Sequence, residues 1–315
     1  MDNDYVIVGA GLTGLTLAHD LIKESSDSKI QILEKSKGCG GRMATRRIDD
    51  LKFDHGAQFI KRSNVSLRWI KLWATAEVTQ RFPAESIDAV CATSGLTRLA
   101  KVLAGGLNVS YDSKVTTLNF KGDRWILRSE DESTTATKNV ILTCPLPQSL
   151  EILESSGVSF DGVLSQIRYS KALVILIESD FSLLQLNPNY EEKISSEIFS
   201  VCSQQAKGNA TMPAWTVTMS AAWSQDNFDL PELQILEKAC ELIRTQRPNI
   251  IIKKAYLKKW KYCAPLETWP KLFENPAQGL YLAGDAFGGP SLLGALRSSQ
   301  ALLEQLTKLT GVRNL

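Results

Sequence analysis

The sequence predicts an α/β protein that begins with a parallel β-sheet and forms an antiparallel β-sheet later in the chain. Residues 5–8 are an uninterrupted apolar run, the pattern of a strand buried on both faces. Gly9, Gly11 and Gly14 follow at the G-x-G-x-x-G spacing, and apolar residues then recur at helical spacing. Far downstream, residues 250–260 alternate apolar side chains with lysines, which favours an antiparallel strand with one exposed face.

The three glycines each have a physical role in a strand–turn–helix unit. Gly9 permits the tight turn, Gly11 lacks the Cβ that would obstruct a pyrophosphate, and Gly14 lets the helix pack closely on the sheet. The unpaired amides in the first turn of such a helix attract an anion. The opening of the chain therefore predicts a dinucleotide-binding turn.

Glu34 strengthens this prediction. It ends a second short apolar strand, residues 30–33, at about the 20-residue distance from the last glycine that the dinucleotide fingerprint requires. A carboxylate there accepts hydrogen bonds from the ribose hydroxyls and repels a 2′-phosphate. The sequence thus favours FAD or NAD over NADP. The alternative is a structural turn followed by a surface glutamate.

Composition excludes several other classes of protein. The chain has 315 residues, 43% hydrophobic and 22% charged, which suits two globular domains. A dispersed net charge of +2 gives no electrostatic footprint for nucleic acid or an anionic membrane. Six scattered cysteines and two histidines favour neither a disulfide framework nor a metal site.

The sequence also bears on localisation. The first strand starts almost at Met1, so we expect no signal peptide, and no apolar run approaches the roughly 20 residues that a membrane span needs. We therefore expect a cytoplasmic protein that does not bind membranes.

A second glycine cluster, Gly-Cys-Gly-Gly-Arg-Met at residues 38–43, follows Glu34. Arg42 has the donor geometry to reach a diphosphate or a flavin edge, although a flexible surface loop is the alternative. With this cluster and residues 53–59, 140–145 and 281–285, the sequence resembles the flavin-containing amine oxidase superfamily, and within it the renalase-like branch.

The resemblance implies an α/β fold, α+β overall. A discontinuous FAD-binding, Rossmann-like domain of the glutathione-reductase type would be interrupted by an antiparallel-sheet substrate domain. The FAD domain would comprise residues 1–60, 90–160 and 263–315, and the substrate domain residues 61–89 and 161–262.

The resemblance also implies which residues contact FAD. In the family, backbone at the position of residues 56–58 runs beside the isoalloxazine ring, and the final Gly-Asp motif and helix contact the ribityl chain and pyrimidine ring. The implied contacts are Gly9, Ala10, Gly11, Thr13, Gly14, Glu34, Lys35, Gly41, Arg42, Met43, Gly56, Ala57, Gln58, Val115, Gly284, Asp285, Gly294 and Ala295. Cys263 follows Trp260 too closely to match the cysteine that carries covalent flavin in some relatives, so we expect non-covalent FAD.

Aromatic residues are candidates for a substrate wall. Trp260 and Tyr262 match aromatic residues that enclose the cavity above the flavin in the family, and Trp215 and Trp223 are predicted on a neighbouring strand. Core packing is the alternative for each of them, because aromatic residues in strands usually fill cores.

Other polar residues receive structural interpretations. We assign no catalytic side chain: His55 is either a satisfied structural histidine or an acid–base group, and His19 is structural. The lysines near residues 253–261 are expected on a solvated strand face. Asn187-Pro188 and residues 207–209, Lys-Gly-Asn, are predicted to be loops.

The expected reaction is hydride transfer from a small donor to flavin N5, with molecular oxygen as acceptor. The renalase-like resemblance implies oxidation of dihydronicotinamide isomers of NAD(P)H. One alternative is an amine or amino-acid oxidase, and another is a flavin-binding redox sensor without turnover.

Overall fold

The structure is a computed structural model, which describes residues 3–180, 189–248 and 250–310. The predicted loop at Asn187-Pro188 lies outside this part of the chain. The helices are α1 (Leu12–Glu24), α2 (Asn64–Thr75), α3 (Thr97–Ala104), α4 (Leu146–Ser155), α5 (Ala221–Asn227), α6 (Glu232–Gln246), α7 (Asp285–Gly288) and α8 (Leu292–Thr310).

The strands belong to four sheets. They are β1 (Asn3–Val8), β2 (Ile30–Leu33), β3 (Thr45–Ile48), β4 (Leu51–Asp54), β5 (Ile60–Lys61), β6 (Thr79–Arg81), β7 (Ala89–Ala92), β8 (Val109–Ser110), β9 (Val115–Lys121), β10 (Arg124–Ser129), β11 (Thr134–Leu142), β12 (Tyr169–Ser179), β13 (Tyr190–Glu192), β14 (Ile198–Ser203), β15 (Ala214–Met219), β16 (Ile252–Pro265), β17 (Glu274–Ala277) and β18 (Leu280–Leu282).

The first compact unit, residues 1–41, 100–168 and 264–315, contains an eight-stranded sheet. Its central strand β1 pairs in parallel with β2 and β11, and β8 and β18 extend the parallel part on either side. Strands β9, β10 and β17 add antiparallel pairs. The predicted α/β fold with a Rossmann-like strand–turn–helix opening is confirmed.

Two prolines stand at the start of α4. The helix begins at Leu146, with Pro145 as its N-cap residue and Pro147 in its first turn. Because the first-turn amides of a helix have no intrahelical partner, Pro147 removes no hydrogen bond there.

The second unit, residues 42–99 and 169–263, is built on a five-stranded sheet in the order β13-β14-β15-β12-β16. Strand alternation divides its core in two. Trp215 and Val217 of β15 pack in a cluster that includes Ile235 of α6, whereas Ala214 belongs to a cluster with Phe53 of β4. Two smaller sheets, β3-β4 and β5-β7-β6, complete the unit.

The bounds of the compact units differ from the predicted domain bounds. Residues 42–60 and 90–99, expected in the FAD domain, contact mainly the unit that holds the five-stranded sheet. The assignment of FAD and substrate roles to particular segments therefore stays a prediction.

None of the helices in the described ranges combines the length and the apolar character needed to cross a membrane.

Candidate functional site

The glycine turn after β1 has the close backbone contacts predicted from its sequence. Gly9 adopts a φ of 109°, which favours glycine, and a Cβ on Gly14 would lie 2.2 Å from the Gly9 carbonyl oxygen. The second glycine cluster packs against this turn: the Gly40 amide donates to the Ala10 carbonyl at 2.8 Å, and a Cβ on Gly41 would lie 3.5 Å from the Gly11 Cα. The two glycine clusters therefore form one surface of bare backbone.

Glu34 organises the edge of this surface. Its Oε2 accepts a hydrogen bond from the Ala10 amide at 2.7 Å, and its Oε1 accepts one from the Ser36 amide at 2.8 Å. The side chain is buried at 7% exposure, so the surface-glutamate alternative is excluded. The carboxylate thus joins the end of β2 to the glycine turn.

Helix α8 packs against α1 beside this turn. The Thr13 hydroxyl donates to the Ala295 carbonyl at 3.3 Å, and the Thr16 hydroxyl donates to the Ser299 hydroxyl at 2.9 Å. Both hydroxyls are buried. Residues about 282 positions apart in the chain are therefore joined at the same place.

The Gly-Asp motif, Gly284 and Asp285, follows β18 and contacts α8. The Gly284 amide donates to the Ser298 hydroxyl of α8 at 2.8 Å, and Asp285 is buried. A Cβ on Gly294 would lie 1.9 Å from the Gly289 carbonyl oxygen, so the start of α8 touches bare backbone. This packing requires glycine at position 294.

Lys35 and Val115 occupy less central positions in the same unit. Lys35 is exposed, and its Nζ lies 3.2 Å from Gln148 Oε1. Val115 is buried at the start of β9, whose partner is β10. Within the described residues, no side-chain hydrogen bond joins Lys35 or Val115 to the glycine turn.

Within the second unit, Arg42 is held against the loop that follows β4. Its carbonyl accepts the Ala57 amide at 2.9 Å, and a Cβ on Gly56 would lie 2.1 Å from the same carbonyl oxygen. Its guanidinium donates to the Cys263 carbonyl at 3.1 Å, while Met43 is fully buried. The structure therefore brings together Arg42, Gly56 and Ala57, which the sequence resemblance had placed at a flavin ring.

Asp54 lies at the start of this loop with every polar atom engaged. Its Oδ1 accepts from the Thr45 hydroxyl at 2.6 Å and the Leu96 amide at 2.7 Å. Its Oδ2 accepts from Lys207 Nζ at 2.6 Å and Asn209 Nδ2 at 2.9 Å. The Asp54 and Lys207 side chains form an ion pair with 0% exposure.

Gln58 closes the loop and contacts the same lysine. Gln58 Oε1 accepts from Lys207 Nζ and from Gln204 Nε2, both at 3.1 Å. Gln58 Nε2 donates to the carbonyls of Asp54 at 2.7 Å and Gly56 at 3.1 Å. Because these bonds use the whole side-chain amide, Gln58 has only its backbone to offer a cofactor.

Three of these partners were not predicted. Gln204, Lys207 and Asn209 lie in the segment between β14 and β15, and each is at least 98% buried. Residues 207–209 do form the predicted loop, but Lys-Gly-Asn is a pattern typical of an exposed turn. The only local hint was an unpaired acid, Asp54, at the end of an apolar strand.

His55, the first residue of the loop, forms a stacked pair with Trp260. Their ring centroids are 5.3 Å apart, and the Trp260 indole donates to the His55 carbonyl at 2.8 Å. Burial lowers the pKa of His55 to about 4; Lys258 and Arg46 also lower it, and Asp54 opposes them. The imidazole is therefore neutral at pH 7, and its Nδ1 is buried without a hydrogen-bond partner among the described residues.

The four residues predicted to form an aromatic wall lie in different surroundings. Trp260 packs with the cluster around Phe53, and Tyr262 contacts the Tyr169 ring edge-on at 5.9 Å. Trp215 instead packs in the cluster on the α6 side, and Trp223 lies in α5 rather than on a strand and contacts that same cluster. Trp215 and Trp260 thus lie in different clusters, because strand alternation turns Trp215 to the face opposite Ala214; their joint role in a substrate wall stays a prediction.

Two cations flank His55. Lys258 Nζ lies 5.9 Å from the centroid of the Trp260 ring. The Arg46 guanidinium lies 5.8 Å from the Tyr256 ring centroid and donates to the Leu257 carbonyl at 3.3 Å. Neither cation is paired with a carboxylate within the described ranges. We call Arg46, His55, Tyr256, Lys258 and Trp260 the cationic aromatic surface.

The remaining lysines of β16 are paired or solvated. Lys253 and Lys254 form ion pairs with Asp180 and Glu178, and Lys259 donates to the Phe228 carbonyl at 2.6 Å. These side chains are exposed, as expected for a solvated strand face. They are not part of the cationic aromatic surface.

The first unit fits a dinucleotide. Gly11, the N-cap residue of α1, has no side chain to accept the first-turn amides, and a Cβ there would meet nothing within 4 Å. Open space in front of uncapped helix amides suits a pyrophosphate. The buried Glu34 carboxylate lies at the position where the fingerprint places the ribose-binding acid.

Two sequence families match the chain. Residues 7–76 match the NAD(P)-binding Rossmann-like domain, and residues 63–301 match the flavin containing amine oxidoreductase family. The second match covers more than half of the chain.

Solved oxidase structures share the fold. A candidate protoporphyrinogen oxidase from Exiguobacterium sp. 255-15 has a TM-score of 0.80 at 13% identity, with 98% of this chain and 99% of that chain covered. Wild-type putrescine oxidase bound to putrescine has a TM-score of 0.74 at 11% identity with the same coverages, and a double mutant of putrescine oxidase has 0.76 at 12%. At these identities the likeness establishes the fold alone.

Proposed function

Because the chain belongs to the flavin containing amine oxidoreductase family, we propose that it is an FAD-dependent oxidase of dihydronicotinamide isomers of NAD(P)H. The family establishes an FAD-dependent oxidoreductase; the substrate is our proposal. FAD, when bound, supplies the acceptor for a hydride, and molecular oxygen is the proposed final acceptor, with hydrogen peroxide as product.

We assign the cofactor contacts as follows. The glycine turn, Glu34 and the first turn of α1 bind the diphosphate and ribose, and Asp285, Gly294 and Ala295 bind the ribityl chain and pyrimidine ring. Arg42 and the backbone of residues 56–58 lie beside the isoalloxazine. These residues bind and orient, and none of them is assigned a proton transfer.

The cationic aromatic surface is the observation that carries the substrate assignment. Lys258 and Arg46 lie near a neutral His55, and no carboxylate pairs with them within the described ranges. A dihydronicotinamide dinucleotide combines a flat ring with anionic phosphates, so Trp260 and Tyr262 provide its wall and the two cations attract it. A protonated amine would be repelled at the same place.

An amine oxidase is the second candidate, because putrescine oxidase shares this fold. Hydride transfer requires the donor carbon close to the acceptor with water excluded, and an aromatic wall suits an amine as well. The charge beside the aromatic wall of Trp260 and Tyr262 distinguishes the two candidates. A protonated amine substrate would require an acidic residue there.

The test is anaerobic reduction of the purified holoprotein, followed by its flavin absorbance. We expect dihydronicotinamide isomers to bleach the flavin rapidly and putrescine to leave it oxidised. Rapid bleaching by amines alone would replace the first proposal with the second. If no donor reduces the flavin, the remaining hypothesis is a flavin-binding redox sensor without turnover.

The cationic aromatic surface can be tested separately. Lys258→Gln removes one cation, and we expect KM for the dinucleotide to rise about tenfold while kcat changes little. Lys253→Gln, on the exposed part of the same strand, is the matched control and should leave KM unchanged.

A further inference from the structure

The ends of the loop at residues 55–57 are joined by one ammonium group. Lys207 Nζ lies 2.6 Å from Asp54 Oδ2, immediately before the loop, and 3.1 Å from Gln58 Oε1, immediately after it. Lys207 comes from a different segment of the chain, about 150 residues away. The ammonium therefore acts as a clip across His55, Gly56 and Ala57.

The clip is itself rigidly supported. The Lys207 carbonyl accepts from Gln80 Nε2 at 2.6 Å, and Asn209 Nδ2 donates both to Asp54 Oδ2 and to Gln204 Oε1 at 2.9 Å. Gln204 Oε1 also accepts the Asp54 amide at 3.1 Å. Lys207, Gln204 and Asn209, which belong to one segment of the chain, thus all contact Asp54 or Gln58.

A buried ion pair is poor evidence for stability alone. Apolar residues of similar volume are often as stable, because removing two charges from water is costly. Burial by itself would lower the pKa of Lys207, but the Asp54 carboxylate holds it above its ordinary value, so the ammonium stays charged. What an apolar core cannot supply is directed hydrogen bonds to both ends of one loop.

We propose that Lys207 is a positioning residue that clips Asp54 to Gln58 and thereby fixes the backbone of residues 55–57 for contact with the isoalloxazine ring. This rests on the part of the proposed function that places residues 56–58 beside FAD, and it is independent of the substrate. The Asp54–Lys207 pair carries no net charge, so we assign its main effect on the ring to the loop that it fixes.

The first test uses protein freed of FAD. In Lys207→Met and in Gln58→Met, we expect hydrogen exchange at the amides of residues 55–57 to accelerate about tenfold to 100-fold, the range for losing a hydrogen bond to a charged group. Gln58→Met removes the Lys207 contact together with the Gln58 hydrogen bonds to the Asp54 and Gly56 carbonyls, and it leaves the ion pair intact, so it remains informative if Lys207→Met does not fold. Unchanged exchange in Gln58→Met would overturn the clip.

The second test uses the holoprotein. Lys207→Met leaves the Asp54 carboxylate uncompensated near the ring, so we expect a shifted visible spectrum and a lower midpoint potential. Adding Asp54→Asn should remove the part of the potential shift that the uncompensated charge causes, whereas the shifted visible spectrum and the fast exchange at residues 55–57 should persist, because the clip is still missing. Ile235→Ala, in the separate α6 cluster, should lose stability but keep the wild-type flavin spectrum and potential.

The outcomes distinguish the two proposals. If Lys207→Met reduced only stability, as Ile235→Ala does, and left the exchange at residues 55–57, the flavin spectrum and the potential all unchanged, Lys207 would be merely structural. Suppose that exchange at residues 55–57 accelerates in both Lys207→Met and Gln58→Met but the FAD spectrum of both variants equals that of the wild type. That result would instead overturn the proposed placement of FAD beside residues 56–58.

Discussion

At the scale of single residues, His55 makes stability depend on pH. Its folded pKa is about 4 because of burial, whereas an unfolded histidine titrates near 6.5, so the unfolded chain binds the extra proton between these values. The stability that the neutral imidazole preserves above pH 6.5 is therefore lost as the pH falls towards 4. The difference amounts to about 3 kcal/mol.

A His55→Gln variant removes this titration. We expect its free energy of unfolding to fall less than that of the wild type between pH 7 and pH 4, by about 3 kcal/mol. Urea unfolding at several pH values measures the free energy of unfolding of the wild type and of the variant. Parallel curves for the two proteins would mean that His55 is not buried in its neutral form.

Glu34 is the residue on which the cofactor prediction depends most. Glu34→Gln replaces one acceptor oxygen by a donor, so either the Ala10 or the Ser36 amide loses its partner. We expect FAD to bind about tenfold to 100-fold more weakly, measured by titration of the apoprotein. Glu130→Gln makes the same chemical change at an exposed site and should leave the affinity unaltered.

Two buried charged residues, Glu34 and Lys207, show which parts of the candidate site could be predicted from the sequence. Glu34 was predictable because its partners lie on a local strand–turn–helix unit with a known spacing. Lys207 was not, because its burial depends on a contact with Asp54, which is 153 positions away in the chain. Local composition described the turn correctly and gave no information on what covers it.

At the scale of secondary-structure elements, the start of α8 depends on a close approach of bare backbones. A Cβ at Gly294 would lie 1.9 Å from the Gly289 carbonyl oxygen, so Gly294→Ala displaces the helix that carries the Ala295 contact to Thr13. We expect a loss of about 1–3 kcal/mol in the free energy of unfolding, together with weaker FAD binding.

Gly162→Ala is the matched control, because a Cβ there would meet nothing within 4 Å. Urea denaturation and FAD titration should show this variant to be close to the wild type. If Gly294→Ala behaved in the same way, α8 would not pack on the Gly288–Gly289 backbone as described.

Elements were predicted best where the periodicity was long. The alternation of apolar residues and lysines at residues 250–260 predicts a strand, and β16 (Ile252–Pro265) covers most of that range. The short helix α5 was missed, because seven residues give too few turns for a period to emerge. Its signal was Ser220, whose hydroxyl accepts the Trp223 amide as an N-cap.

At the scale of the whole molecule, the cofactor should contribute to stability by mass action. A ligand that binds only the folded chain stabilises it by about 2.7 kcal/mol at 100 times its dissociation constant. We expect the FAD-free protein to unfold at lower urea concentration than the holoprotein, and added FAD to restore the midpoint in a concentration-dependent way. Identical midpoints with and without FAD would contradict specific binding to the native state.

The same cofactor should leave the unfolded chain completely. Cys263 lies in β16, where its carbonyl accepts the Arg42 guanidinium, and its position three residues after Trp260 does not match covalent attachment in the family. We therefore expect acid denaturation and filtration to separate all of the yellow pigment from the protein, and the denatured chain to have the mass of its amino acids alone. Pigment retained on the chain and a mass increased by one flavin would identify a covalent link. A Cys263→Ser variant would then show whether this thiol forms it, because the link would disappear while the fold around Arg42 remained.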